Sequence, residues 1–291
     1  LVRAYSQMQY RINDRWSSNF GIHYANFLHN NKQVIESRGN IQYTINQRSN
    51  IALAFGKHSQ VQPLIVYFLK GEDGNLVNKD LDFTKAHHFV LTYNFDVNNH
   101  TRIKSEIYYQ HLTDVAVGLG KNSNFAMVNQ QYFIPDFALV NGGKGKNMGI
   151  ELTLERFLHQ NWYYIITASL FDAKYKTPTT HWLNTRYNAQ YTSAITIGKE
   201  WVVGKSKRNT LGFNIKNAIV GGQWDTPIDR AASQLAKVEI RDESKPFSVQ
   251  LRDYYKLDIG VKYKRNKKKF TSTLSLDLMN ATNSRNVGGI T

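Results

Sequence analysis

Long strand-patterned segments in this chain are joined by connections that alternate in length, and this constrains the fold more than any other feature. Alternating apolar and polar residues recur about twelve times over the 291 residues. Tight links fall at 13–15, 46–48, 97–99, 159–161, 203–209 and 265–268. Between them come a medium link at 29–32 and long ones at roughly 61–84, 114–146, 176–186 and 221–252. In an antiparallel meander, successive links lie at opposite ends of the sheet. Every long link therefore belongs to one end, and every tight link to the other. A soluble sandwich has no reason to segregate them.

Each segment also sorts its residues by parity, as a strand must, because successive side chains project to opposite faces. Ile103 and Ile107 alternate with Arg102, Lys104 and Glu106, and Leu152 and Leu154 with Glu151 and Glu155. Leu257, Ile259 and Val261 alternate with Lys256 and Asp258, and Tyr255 and Tyr263 close that apolar row at both ends. Amphipathic rings take such places at a membrane interface. The segments run about 10–14 residues, against five or six for a typical globular strand and about 9–11 for a tilted bilayer crossing. The expected fold is all-β, an antiparallel meander forming part of a large transmembrane β-barrel. The apolar residues just named are expected to face lipid, and the charged ones a polar lumen.

Composition agrees with that expectation. Mean hydropathy is −0.48, and no apolar run approaches the 18 or so residues of a spanning helix, which barrel strands do not need. The 17 Tyr, 15 Phe and 5 Trp can furnish interfacial girdles, and only 5 Pro suits a paired sheet. With no Cys, disulfides and thiolate metal sites are excluded. A net charge of +15 raises the question of nucleic acid. Many of the cations, however, fall at tight links (Arg15, Arg48, Lys205, Lys207, Arg208) or at alternate strand positions, and the chain has no RNA-reading aromatic motif or zinc-finger spacing. Nucleic acid is therefore not an expected partner. The chain opens in mid-strand at Leu1-Val2-Arg3 without a signal peptide. Residues 1–291 are read as one barrel domain truncated at both ends.

Catalytic motifs fail on inspection. Gly198 with Gly204-Lys205-Ser206 has one residue too many for a phosphate loop and leads from a strand into a turn. Gly143 and Gly145 begin a dinucleotide-like pattern that Met148 breaks, so a loop is expected there. His87 and His88 project to opposite faces and cannot chelate one ion together. Neither an enzyme nor a metal or cofactor site is expected. Aromatics in the long links are better candidates for ligand binding. Tyr67 and Phe68 lie in the apolar run 64–69, Phe125, Tyr132 and Phe133 in the next link, Trp182 in the third and Trp224 in the fourth. Ring faces beside polar groups suit sugars, peptides or chelates. The alternative is that these rings pack loops together or extend the wall.

Several stretches resemble the C-terminal half of the barrel of TonB-dependent outer-membrane receptors, particularly those of the Bacteroidetes type. They include 52–64, the strand entry Gly149-Ile150-Glu151-Leu152, 168–175, 221–229 and the terminal Asp277-Leu278-Met279-Asn280-Ala281-Thr282-Asn283. The resemblance covers essentially the whole chain and rests on the order and spacing of these motifs together. It implies a barrel of about 22 strands, about twelve of them here, with the plug domain absent from this chain. It further implies import of a scarce nutrient (siderophore, cobalamin, glycan or peptide) with TonB-coupled energy at the bacterial outer membrane. The implied partners are outer-membrane lipid and lipopolysaccharide, the protein's own N-terminal plug, TonB, and a small-molecule, glycan or peptide ligand. A passive channel or a structural barrel without a plug is the alternative.

Overall fold

A computed structural model describes residues 1–120, 123–130 and 134–287. The first eight strands are β1 (Val2–Arg11), β2 (Trp16–Phe27), β3 (Lys32–Asn46), β4 (Ser49–Gln60), β5 (Thr84–Asn98), β6 (Thr101–Gly118), β7 (Leu139–His159) and β8 (Trp162–Lys176). They are followed by β9 (Leu183–Asn184), which folds back on β8, and by β10 (Tyr191–Val203) and β11 (Asn209–Val220). A separate two-stranded ribbon pairs β12 (Trp224–Asp225) with β13 (Val249–Gln250), and β14 (Tyr254–Asn266) and β15 (Thr271–Leu278) complete the chain. Without β9 and the ribbon, twelve strands pair in sequence order, and β1 and β15 form the two edges.

The tight links close by local chemistry. The side-chain oxygens of Asn13, Asn46 and Asn98 accept the backbone N–H two residues ahead, at 2.9, 2.8 and 3.0 Å. Asn forms such turns because its amide reaches its own backbone. Between β7 and β8, Gln160 and Asn161 have φ of 51° and 70°, the left-handed pair that a two-residue hairpin turn needs to match strand twist.

Register sorts the residues into two faces, since directly opposed residues of antiparallel strands project to the same side. Thr92, Glu106 and Glu151 share one face across β5–β7, and so do Asn94, Lys104 and Thr153. On the other face Leu91, Ile107, Ile150 and Leu170 are paired in turn, as are Ile197, Ile215, Ile259 and Leu278. The expected parity holds, with Ile103, Ile107, Leu152, Leu154, Leu257, Ile259 and Val261 opposite in sense to Arg102, Lys104, Glu106, Glu151, Glu155, Lys256 and Asp258.

The buried core lies at the loop end of the polar face. There Ala25, Phe27 and Val34 replace polar residues and are covered by Val66, Tyr67, Leu81 and Phe83 of the 61–83 link, together with Ala116 and Leu139. A second cluster packs Val115, Val117, Ala126, Tyr175 and Leu183.

Three expectations change. The 114–146 link is shorter, because β6 continues to Gly118 and β7 starts at Leu139. Gly143 and Gly145 thus lie in a strand where a loop was expected. Across from them β6 bulges, with Asp114 at φ 57°. A Cβ on Gly143 would come within 2.5 Å of Val117 Cγ1 and 3.1 Å of the Val115 carbonyl oxygen, so glycine here permits close backbone approach inside a strand. The 176–186 link runs instead over 177–190 and contains β9. The apolar run at 64–69 contains a short helix, α1 (Leu64–Tyr67), whose apolar side is held by the core just described.

Candidate functional site

At the loop end, the links over 119–138, 177–190 and 221–253 meet over a cavity of ≈ 340 Å³. Its walls include Phe125, Phe137 and Phe247, and its polar lining includes Asn129, Arg186, Asp225 and Arg241. Phe125 and Phe137 meet edge to face with ring centroids 4.9 Å apart.

A polar framework holds these links. Asp225 is buried in the β12–β13 ribbon and pairs with Arg241 at 2.7 Å, with Arg186 3.9 Å away. Arg241 also donates to the Thr226 carbonyl at 2.8 Å and pairs with Glu239 at 2.6 Å. Burial alone would lower the Arg241 pKa, but its bonds to Asp225 and Glu239 outweigh that effect and raise it. The guanidinium therefore stays charged. Buried Asn129 accepts the Arg186 backbone N–H at 3.0 Å. Buried Asn188 accepts from Ala173 N and donates to Asp172 and Asn184, while its carbonyl accepts the Trp224 indole N–H at 2.8 Å. Asn129 thus ties one link to another, and Asn188 ties its link to β8 and β9 because it offers a donor and an acceptor on one planar group.

The four aromatic candidates are dispersed. Tyr67 is fully buried, its ring 4.8 Å from that of Phe27, and its hydroxyl accepts the Gln62 N–H at 3.1 Å. That ring serves packing and presents no face to a ligand. Phe68 is 52% exposed beside His29, at the β2–β3 link. Trp182 lies against the apolar face, with Lys146 Nζ 4.7 Å and Lys176 Nζ 5.1 Å from its ring. Trp224 is half-buried next to Asp225 of the cavity. Tyr132 and Phe133 lie outside the described residues. Sequence reading missed Asn129, Arg186, Asp225 and Arg241. The only signal for them was polar side chains in links too long for turns.

Most of the charged row on the polar face is internally paired. Arg102 meets Glu155 at 2.6 Å, Lys104 meets Glu106 at 2.7 Å and Lys256 meets Asp258 at 2.9 Å. Thr92 also donates to Glu106 at 2.9 Å. Among the described residues, no group of three or more His, Asp or Glu side chains could hold a metal ion.

No protein-family model matches the sequence, and neither does any curated protein. Solved structures do match. The outer-membrane transporter YddB from Escherichia coli superposes with a TM-score of 0.68 at 13% identity, over 99% of this chain and 42% of that one. The pyoverdine outer-membrane receptor FpvA from Pseudomonas aeruginosa gives 0.64 at 12%, over 97% and 38%. The fold is that of TonB-dependent outer-membrane receptor barrels. The ferric yersiniabactin uptake receptor FyuA from Yersinia pestis shares it at 0.56 and 11%, over 94% of this chain and 43% of that one. These neighbours are receptors and transporters of bacterial outer membranes. The chain spans between about a third and under a half of the length of the structures it matches.

Proposed function

We propose that residues 1–291 form part of one barrel domain in an outer-membrane receptor that imports a scarce nutrient with TonB-coupled energy. The observation that carries this reading is the two-sidedness of the twelve-strand sheet. One face is apolar with exposed Ile107, Ile150, Leu152 and Leu170. The other carries ion-paired charges and is covered by loops at one end only. In this reading the apolar face meets outer-membrane lipid and lipopolysaccharide. The face with Arg102, Lys104, Glu106, Glu151, Glu155, Lys256 and Asp258 lines the lumen, where an N-terminal plug would meet it through hydrogen bonds. TonB would engage a segment N-terminal to that plug.

The loop cavity is where ligand capture would start. Aromatic walls supply contact area at low entropic cost, and Arg186, Asn129 and Arg241 supply donors for oxygen-rich groups. FpvA is known from a pyoverdine-bound structure and FyuA as a ferric yersiniabactin receptor. A chelate of that kind suits this lining, and cobalamin, a glycan or a peptide are the other classes considered. Phe68 and Trp224 are the rings outside the lining to substitute first.

The test is uptake by cells carrying the full-length protein, with and without the inner-membrane energising complex. Accumulation of the nutrient should cease without that complex. Undiminished uptake would replace this reading with a passive channel.

A further inference from the structure

Two neighbouring tight turns carry a charge that neither the lumen nor the loop cavity uses. β10 and β11 are joined by 204–208, with Lys205, Lys207 and Arg208, and β14 and β15 by 267–270, with lysine at 267, 268 and 269. Lys264 and Arg265 stand just before the second turn, near the end of β14. Because β11 pairs with β14, the two turns are adjacent. All eight cations are exposed. None of them forms a salt bridge among the described residues, and neither 201–216 nor 259–276 contains Asp or Glu. At the first tight turn, by contrast, Arg11 meets Asp14 at 2.9 Å.

The two turns are braced as one surface. Asn266 donates its side-chain amide to the Arg208 carbonyl at 2.7 Å and its backbone N–H to Asn209 Oδ1 at 3.3 Å, and Asn209 donates to the Tyr263 hydroxyl at 3.0 Å. Like charges held side by side repel, and an external polyanion offsets that cost. Height narrows the kind of polyanion. On the apolar face Trp201, Leu211, Tyr263 and Leu274 are paired in turn, and rings in such a row sit at the membrane–water interface. β14 continues past Tyr263 to Asn266, and at about 3.4 Å per residue this carries the turn roughly 10 Å along the strand beyond the rings. A headgroup layer is only about 5–8 Å thick, so these cations reach into water on the tight-link side, which the outer-membrane reading makes the periplasm. Composition argues against a folded protein as the partner. Such interfaces are depleted in Lys and centre on buried aromatic or Arg anchors, whereas Phe270 is the single ring in the two turns and is 60% exposed.

We propose that this patch docks the barrel onto peptidoglycan, the covalent periplasmic mesh whose stem peptides carry free carboxylates. Lysine ammonium groups are compact point charges on flexible stems, which suits carboxylates at irregular spacing, and the braced turns present them together. The proposal rests on the outer-membrane reading above.

The test uses the full-length protein in phosphatidylcholine nanodiscs, with folding checked by heat-modifiable gel mobility. Co-sedimentation is measured with purified peptidoglycan sacculi, either native or with their carboxylates converted to neutral amides. The patch variant is K205Q/K267Q/K268Q/K269Q. The control K70Q/K79Q/K144Q/K237Q removes equal charge at the loop end, and a third variant carries Lys→Arg at the four patch positions. Native sacculi should bind the wild type, and the patch variant should lose at least about tenfold in apparent affinity. Amidation of the sacculi, or salt that shortens the Debye length to about 3 Å, should cause a comparable loss. These two arms use the wild type alone and decide the matter even where a variant misfolds. The control and the Arg variant should retain binding. Equal loss in patch and control variants, or undiminished binding to amidated sacculi, would overturn the docking site. Phosphatidylglycerol added to the nanodiscs should leave binding unchanged. Abolished binding there would mean that the patch takes headgroups of its own bilayer, and would overturn the peptidoglycan assignment. Cysteine labelling tests the underlying orientation separately. In Ser206→Cys, an impermeant maleimide should reach the thiol only after the outer membrane is permeabilised. Labelling in intact cells would overturn the orientation itself.

Discussion

Tyr67 and Phe68 are consecutive, yet they have opposite surroundings. Tyr67 is fully buried between Phe27 and the returning segment of its own link, whereas Phe68 is 52% exposed. Replacing Tyr67 by Ala should cost about 3–5 kcal/mol through lost burial and the cavity left behind. Phe68→Ala should cost less than about 1 kcal/mol. Limited proteolysis of the 61–83 link would show the difference, with rapid cleavage only in the Tyr67 variant. Arg241 is a second case. Arg241→Ala would remove the shortest ion pair of buried Asp225, whose other contacts include Arg186 at 3.9 Å and the Thr226 N–H at 2.9 Å, a loss of about 1–3 kcal/mol in local stability. Amide exchange should accelerate through 224–250 and stay unchanged in β5–β8. Neither environment was legible in the sequence. The partners of Tyr67 and Asp225 are remote along the chain, and a short apolar run reads equally as strand or helix. Aromatic identity drew attention to Tyr67 for binding, and only its burial reveals the packing role.

At the scale of elements, alternation was enough to place the long strands and to sort their residues onto two opposite sides, because a period of two leaves only one choice of side. Boundaries were harder. Residues 142–145 are rich in glycine, and glycine reads as a turn unless the bulged partner strand that requires it is known. β14 gives the sharpest test of face assignment. Leu257 is opposite Asn217 on the apolar side, while Asp258 pairs with Lys256 and accepts the Asn280 N–H at 2.8 Å. In the full-length protein, Leu257→Arg should lower folding stability in bilayers by roughly 2–4 kcal/mol, and Asp258→Asn by much less. Denaturant titration of both variants measures this. Equal losses would contradict the two-sided wall.

For the whole molecule, the repeated change from tight to long links allowed the meander and its polarity to be read in advance. The convergence of three links into one cavity was not readable, because nothing in a linear pattern says which loops lean toward each other. The link lengths also bear on how the sheet comes together. Six pairs of strands, β1–β2, β3–β4, β5–β6, β7–β8, β10–β11 and β14–β15, are joined by the tight links. Closing a short loop takes about 10–100 ns and a hairpin about 1–10 μs. The β2–β3 link, 28–31, is equally short, whereas the seams β4–β5, β6–β7, β8–β10 and β11–β14 must wait for a longer stretch of chain to find its neighbour, although each doubling of length adds only about 0.6 kcal/mol of closure entropy. The sheet is thus built to assemble from a four-stranded β1–β4 unit and four preformed hairpins that zip together along four slower seams, with the loops of the long links ordering last.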